Sequence, residues 1–212
     1  MKRLILILFV LMIIVPMTTV LAAKNTVRYS RDTYYVPENY ATIKIGAFMP
    51  NEDALDDGVG VSGAIGHMIN KNFALELGLD YTFTDFNNDN DYYYENANVY
   101  TFGIPATAKF IVPLSNQIDL FAGAGLGIYF TSVVFDHHGY YDHDGYYYDD
   151  DDSIDDTSLG YHGLIGADIK VNSNMAIEME LKYTETEDDF DHYDYNFELG
   201  GTTVSIGAKF LF

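Results

Sequence analysis

Between Phe73 and Thr84 the chain alternates without a break. Phe73, Leu75, Leu77, Leu79, Tyr81 and Phe83 hold one parity; Ala74, Glu76, Gly78, Asp80, Thr82 and Thr84 hold the other. A period of two sends successive side chains to opposite faces of a strand. The pattern recurs in Thr42–Phe48, Val59–Gly66, Tyr100–Val112, Ile118–Phe130, Leu159–Lys170, Met175–Thr184 and Thr202–Phe212. The last of these, TTVSIGAKFLF, ends on two aromatic residues of one parity, Phe210 and Phe212. Eight alternating strands predict an all-β fold and leave little room for anything else.

The links between the strands have two kinds. Short turns (INKN at 69–72, PLSNQ at 113–117, NSN at 172–174) alternate with longer acidic stretches at 50–57, 87–98, 136–156 and 187–200. An even number of antiparallel strands with short turns at one end and long loops at the other is the pattern of a transmembrane barrel. A soluble up-and-down barrel has the same strand count. The face opposite the apolar one separates the two. Glu76, Asp80, Asp119, Asp168, Glu178 and Glu180 stand there against Lys44, Lys109, Lys170, Lys182 and Lys209, close to neutrality in a chain of net charge −21. Near neutrality suits an enclosed space where charges must pair. The same face is rich in glycine, which a narrow interior needs. Phe73, Phe83, Phe102, Phe130 and Phe210 would crowd such an interior and fit a lipid-facing band. The expectation is an eight-stranded antiparallel transmembrane β-barrel over 40–212, with long acidic external loops and short periplasmic turns.

Residues 1–23 read as a cleaved secretory signal peptide: Lys2 and Arg3, an apolar core from Leu4 to Val15, then small residues through Ala23. Pro16, Thr18 and Thr19 cut the apolar run below the roughly 20 residues a spanning helix needs. Residues 24–39 are expected as a periplasmic lead-in. With 212 residues and 48% hydrophobic content the chain is one domain and not a disordered acid. The absence of cysteine excludes disulfides, thiolate metal sites and a cysteine nucleophile. The acidic balance excludes nucleic acid as a natural partner.

Three groups of residues carry candidate chemistry. In the stretch DHHGYYDHDGYYYDDDDSIDD, Asp136, His137, His138, Asp142, His143, Asp144, Asp149, Asp150, Asp151 and Asp152 offer hard oxygen ligands with imidazoles among them. The calcium-loop spacing to a bidentate Glu is missing, so the expectation is no cofactor beyond weakly bound Ca²⁺ or Mg²⁺, shared with the phosphates of lipopolysaccharide. The runs Tyr92–Tyr94 and Tyr146–Tyr148 suit interfacial anchoring, or contact with a host or cell-surface ligand. The eleven opposite-face charges, Lys44, Glu76, Asp80, Lys109, Asp119, Asp168, Lys170, Glu178, Glu180, Lys182 and Lys209, are expected to form a lumen charge network. Pro105 lacks an N–H for its ladder and predicts a bulge or a local opening. Neither His162, which shares a face with Ser158, nor His67 shows a base, nucleophile and orienting acid together, so no enzyme is expected.

The segment Phe102–Phe130, FGIPATAKFIVPLSNQIDLFAGAGLGIYF, resembles the small outer-membrane β-barrel family of OmpW-like and OmpX-like proteins, in which a strand, a short turn and a GAGLG-type strand follow one another. The resemblance extends over about Tyr40–Phe212. It implies residence in the outer membrane among lipids and lipopolysaccharide, and a barrel-assembly signal at Phe210 and Phe212 read by the barrel-assembly machinery. Family members range from surface adhesins and structural proteins to channels. The function expected first is structural or surface-interacting. The alternative is a narrow porin-like channel for small apolar solutes with lateral release.

Overall fold

The computed structural model describes residues 39–52, 55–85, 96–136, 140–141, 147–148, 152–186 and 200–212. Its strands are β1 (Asn39–Pro50), β2 (Gly58–Asn70), β3 (Phe73–Asp85), β4 (Asn96–Pro113), β5 (Ile118–Asp136), β6 (Tyr140–Tyr141), β7 (Tyr147–Tyr148), β8 (Asp152–Asn172), β9 (Met175–Thr186) and β10 (Gly201–Leu211). The two-residue strands β6 and β7 pair only with each other. The other eight close into one antiparallel barrel in the order β1-β10-β9-β8-β5-β4-β3-β2. The closing seam runs from Tyr40↔Leu211 to Pro50↔Gly201. Reciprocal bonds extend it, from Asn39 N–H to the Phe212 carbonyl at 3.0 Å and from Phe212 N–H to the Asn39 carbonyl at 2.9 Å. A closed sheet has no edge, so its backbone groups can be satisfied without water.

Each strand turns its apolar parity outward. Ile43, Ile45, Leu75, Leu77, Leu79, Leu126, Ile165 and Ile206 are all exposed, with no protein layer to cover them. Aromatic rings bound this belt: Phe73 and Phe110 pack at 5.1 Å near the short-turn end, Phe83 with Tyr100 at 5.3 Å and Phe102 with Phe130 at 6.3 Å toward the other. An apolar band of about 25 Å between aromatic girdles is what a bilayer demands of a barrel.

The short turns fold by local side-chain capture. Asn70 Oδ1 accepts from the N–H groups of Asn72 and Phe73, Ser115 Oγ from those of Gln117 and Ile118, and Asn172 Oδ1 from that of Asn174. These polar side chains mimic a backbone turn. Register shifts between Met68 and Asn70 and between Lys170 and Asn172 place two irregularities beside those turns.

The structure corrects several sequence boundaries. The stretch 136–156 is not all loop: Asp136 closes β5, and Asp152–Asp156 open β8. Asn96–Asn98, expected in a loop, begin β4, and Asn39 belongs to β1 rather than to the lead-in. Beyond the bilayer a strand needs no apolar face, so polar, acidic sequence continues the ladder there. Partner strands supply the hydrogen bonds: β4, β5 and β8 pair along nearly their whole lengths, up to Asn96↔Asp136 and Phe135↔Asp152. At Pro105 the β3–β4 ladder passes from Leu77↔Ala106 to Asp80↔Gly103 in unchanged register. Pro105 therefore opens the ladder locally and makes no bulge. The expected signal peptide and the rest of the lead-in lie outside the described residues.

Candidate functional site

The inward parity gathers charge from seven strands. Lys44 on β1 reaches Glu180 at 2.7 Å and Glu178 at 3.2 Å. Lys109 on β4 reaches Glu76 at 2.8 Å and both Glu178 and Glu180 at 3.3 Å. Lys209 on β10 holds Asp168 at 2.7 Å and stands 3.9 Å from Glu178. Nearer the long-loop end Lys182 pairs with Asp80; nearer the turns Lys170 pairs with Asp119 at 2.8 Å. Every one of the eleven charges singled out in the sequence thus meets a partner from the same set. Lys109 is 1% exposed and Glu178 fully buried. Charges this deep persist only when neighbours of opposite sign and hydrogen bonds offset several kcal/mol of lost hydration per ion.

Aromatic rings fill the lumen around the ion pairs. Tyr40 sits directly across the ladder from Gly66, Phe121 from Gly166, Tyr129 from Gly103 and His162 from Gly125. In each pair the ring lies over the glycine. A Cβ on Gly103 would stand 2.6 Å from Tyr129, and one on Gly160, on the far side of that ring, 2.7 Å from it. The glycines therefore do more than narrow the barrel: they receive rings, an arrangement known to protect glycine in sheets. Tyr40 also donates to Glu76 Oε2 at 3.1 Å, while the Lys209 ammonium stands 4.1 Å above its ring and the Lys109 ammonium 4.7 Å above that of Phe121. Tyr40, Ala74, Ile111, Phe121 and Leu164 form an apolar plug toward the short turns. Sequence reading missed this plug. The signal was there as aromatic and glycine residues sharing the inward parity on strands that the topology makes neighbours.

Above the ion pairs the lumen widens into a cavity of about 50 Å³, walled by Ser62, Thr82, Thr101, Thr184, Thr203 and Ser205 with Tyr129, over a floor of Asp80, Glu180 and Lys182. A second space beside Pro105, Gly78 and Ala64 is about 10 Å³. By the room one water requires, the first holds a few waters and the second at most one. His162 Nε2 lies 2.8 Å from the Thr107 hydroxyl; Ser158 Oγ and His162 Nδ1 have no hydrogen-bond partner among the described residues. His67 Nδ1 lies 2.9 Å from Asn39 Oδ1, at the turn end. His162 thus meets a threonine hydroxyl and His67 an asparagine side chain.

The ends of the barrel are electrostatically unlike. Of 32 acidic residues, six face the lumen and two, Asp32 and Glu38, precede β1, which leaves 24 on the long connections and the strand ends beside them. Of 11 Lys and Arg, five face the lumen, five precede β1 and Lys71 occupies a short turn, so the long connections carry neither Lys nor Arg. The described rim is ordered by Asn51, whose N–H donates to the Gly200 carbonyl at 3.0 Å and whose side-chain amide donates to Tyr183 Oη at 3.0 Å. Of the ten proposed metal ligands, Asp136 and Asp152 stand at strand ends; His137, His138, Asp142, His143, Asp144, Asp149, Asp150 and Asp151 lie outside the described residues. Among the described residues no cluster of His, Cys, Asp or Glu has the geometry of a metal site. Phe212 is 71% exposed and Phe210 also faces outward.

A family model described as outer membrane protein beta-barrel domain matches residues 13–210. Among solved structures the chain is similar to Neisserial surface protein A, with 16% identity, a TM-score of 0.58, and coverage of 82% of this chain and 97% of that one. It is similar to OprG of Pseudomonas aeruginosa, with 12% identity, a TM-score of 0.55, and coverage of 82% and 96%. It is similar as well to Ail, the attachment invasion locus protein of Yersinia pestis, solved with the heparin analogue sucrose octasulfate, with 15% identity, a TM-score of 0.54, and coverage of 83% and 99%. At these identities the likeness is one of fold. No curated protein matches the chain.

Proposed function

The chain belongs to the outer membrane protein β-barrel domain family, and from that premise we propose that it is a non-conducting surface protein whose acidic outer end makes contacts of an adhesion type. Outer membrane residence fixes the long connections outside the cell and the short turns in the periplasm. The observation that carries the reading is the separation of roles along the axis. The lumen is closed by ion pairs and by rings seated on glycines, and the outer end concentrates charge of one sign.

That sign selects the partner. A surface with 24 acidic residues and neither Lys nor Arg repels polyanions. The sulfated ligand seen with Ail is therefore the wrong class for this chain, despite the shared fold. Basic proteins suit it directly. Ca²⁺ or Mg²⁺ suits it as a weakly held bridge to the phosphates of lipopolysaccharide, with oxygen ligands of the usual hard kind. No catalytic role and no tightly bound cofactor belongs to this reading. Planar-bilayer recordings with a cell-binding assay test it: the purified barrel should give no stable conductance, and deletion of 137–151 should abolish binding to a cationic surface while the barrel still folds. Stable conductance with binding unaffected by the deletion would overturn it.

One observation favours the narrow-channel alternative. The ladder opening at Pro105 lies beside an internal space and faces Gly78 across β3. A small apolar solute leaving sideways would pass there. Liposome uptake of such a solute that falls on Pro105→Ala, which returns an N–H to the ladder, would support it; uptake equal to that of empty liposomes would remove it.

A further inference from the structure

Asp119, Asp168 and Glu178 stand abreast in the sheet. Asp168 is directly opposite Asp119 across the β5–β8 ladder and directly opposite Glu178 across the β8–β9 ladder. Like charges in directly opposed positions are destabilising. Asp119 has its own cation, Lys170, which is partly exposed toward the turns. Asp168 and Glu178 are buried; Lys209 holds Asp168 and stands 3.9 Å from Glu178 Oε2, while Lys44 and Lys109 reach the other Glu178 oxygen, Oε1.

Around them the count of buried charge does not balance. The groups facing the pair are Tyr40 and Lys44 from β1, Glu76 from β3, Lys109 from β4, Asp119 from β5, Lys170 and, farther up the lumen, His162 from β8, Glu180 from β9 and Lys209 from β10; β2 brings only Ser62, Ala64, Gly66 and Met68 to this side. In the deepest layer three ammonium groups (Lys44, Lys109, Lys209) meet four carboxyl groups (Glu76, Asp168, Glu178, Glu180). Two buried carboxyl oxygens there have no hydrogen-bond partner among the described residues, Asp168 Oδ1 and Glu178 Oε2, and they belong to the directly opposed pair.

We infer that Asp168 and Glu178 hold one proton between them in the folded barrel at neutral pH. A single O–H shared by the pair supplies a donor to the two orphaned oxygens and brings three cations and four carboxyl groups to zero net charge. Leaving a buried charge uncompensated is among the costliest defects a fold can carry. Macroscopically the proton belongs to the pair rather than to either residue. The inference rests on the barrel and not on the surface role proposed above.

The consequence is proton uptake on folding. Between about pH 4, where carboxyl groups of the unfolded chain titrate, and neutrality, the folded barrel binds one more proton than the unfolded one. Stability on that account falls as pH rises, by about a tenfold change in the unfolding constant per pH unit. Asp168→Asn replaces the shared proton with a permanent neutral donor. Urea unfolding of the barrel in lipid vesicles from pH 5 to 7 should therefore give a wild-type slope steeper than that of D168N by about tenfold per unit. Infrared spectra of the wild type at pH 7 should contain a protonated-carboxyl stretch that D168N lacks. Superimposable slopes, or stability that follows sodium concentration instead of pH, would overturn the inference. Should D168N not fold, Glu178→Gln makes the same comparison. The wild-type infrared spectrum needs no variant, and a missing protonated-carboxyl stretch there refutes the shared proton.

Discussion

The ring of Tyr40 occupies the space that a side chain on Gly66 would fill, and the two residues face each other directly in the β1–β2 ladder. Tyr40 cannot yield easily, because Glu76 holds its hydroxyl and Lys209 covers its face. Gly66→Ala should therefore destabilise the barrel by about 1–3 kcal/mol, the usual cost of overpacking. Gly63, on the outward face of the same strand, would bring its Cβ only into ordinary van der Waals contact, 3.5 Å from the Thr42 carbonyl. Gly63→Ala should leave stability unchanged within about 0.5 kcal/mol. Urea titrations in vesicles compare the two; equal effects would mean that the Tyr40 ring moves aside freely.

Lys109 is the hub of the ion network, the one lysine within ion-pair distance of Glu76, Glu178 and Glu180 together. Lys109→Met leaves Glu76 with only the Tyr40 hydroxyl among its described bonds. Breaking a buried pair from one side costs about 3–5 kcal/mol. Removing the matching acid in Lys109→Met/Glu76→Gln should recover part of that loss, since the methionine then faces a neutral amide. A double variant no better than the single would show that Glu76 was not the carboxylate left uncompensated.

How far the sequence carried these conclusions depended on the solvent each residue faces. The outward parity of Phe73, Leu75, Leu77 and Leu79 was legible because a bilayer demands an unbroken apolar band. Lys44 and Lys209 were legible as lumen residues because no other place on that band tolerates them. The lumen aromatics were not: Tyr40, Phe121 and Tyr129 look like membrane aromatics until their glycine partners, distant in sequence, are known. The upper strand ends were not legible for a related reason. Asp152–Asp156 carry no apolar alternation, since water lies on both faces there, and only pairing with β5 makes them a strand.

Strand β8 outruns β9 by the eight residues Asp152–Leu159, because β9 pairs only from Gly160 downward. The charge carried there and on the neighbouring connections should make outer-end contacts cation-dependent. Addition of millimolar Mg²⁺ should increase binding of the intact protein to lipopolysaccharide, and a chelator should reverse it; the variant lacking 137–151 should respond less. Unfolding in vesicles should be unaffected by the chelator, because no described cluster in the barrel has metal-site geometry. A chelator that unfolds the barrel would place a structural ion where this reading has none.

Phe212 joins the closing seam through its backbone alone, with both its N–H and its carbonyl bonded to Asn39, while its side chain points away from the protein. Phe212→Ala keeps both backbone bonds. Refolded in vesicles, that variant should match the wild type within about 1 kcal/mol, as expected of a surface change that also loses some lipid contact. In cells, if Phe210 and Phe212 are the assembly signal, the same variant should reach the periplasm normally and insert slowly. Pulse-labelling followed by the heat-dependent gel shift of folded barrels separates the two steps. Wild-type insertion kinetics for both Phe212→Ala and Phe210→Ala would refute the assembly role, and a refolded Phe212→Ala barrel that is itself unstable would reassign the residue to the seam.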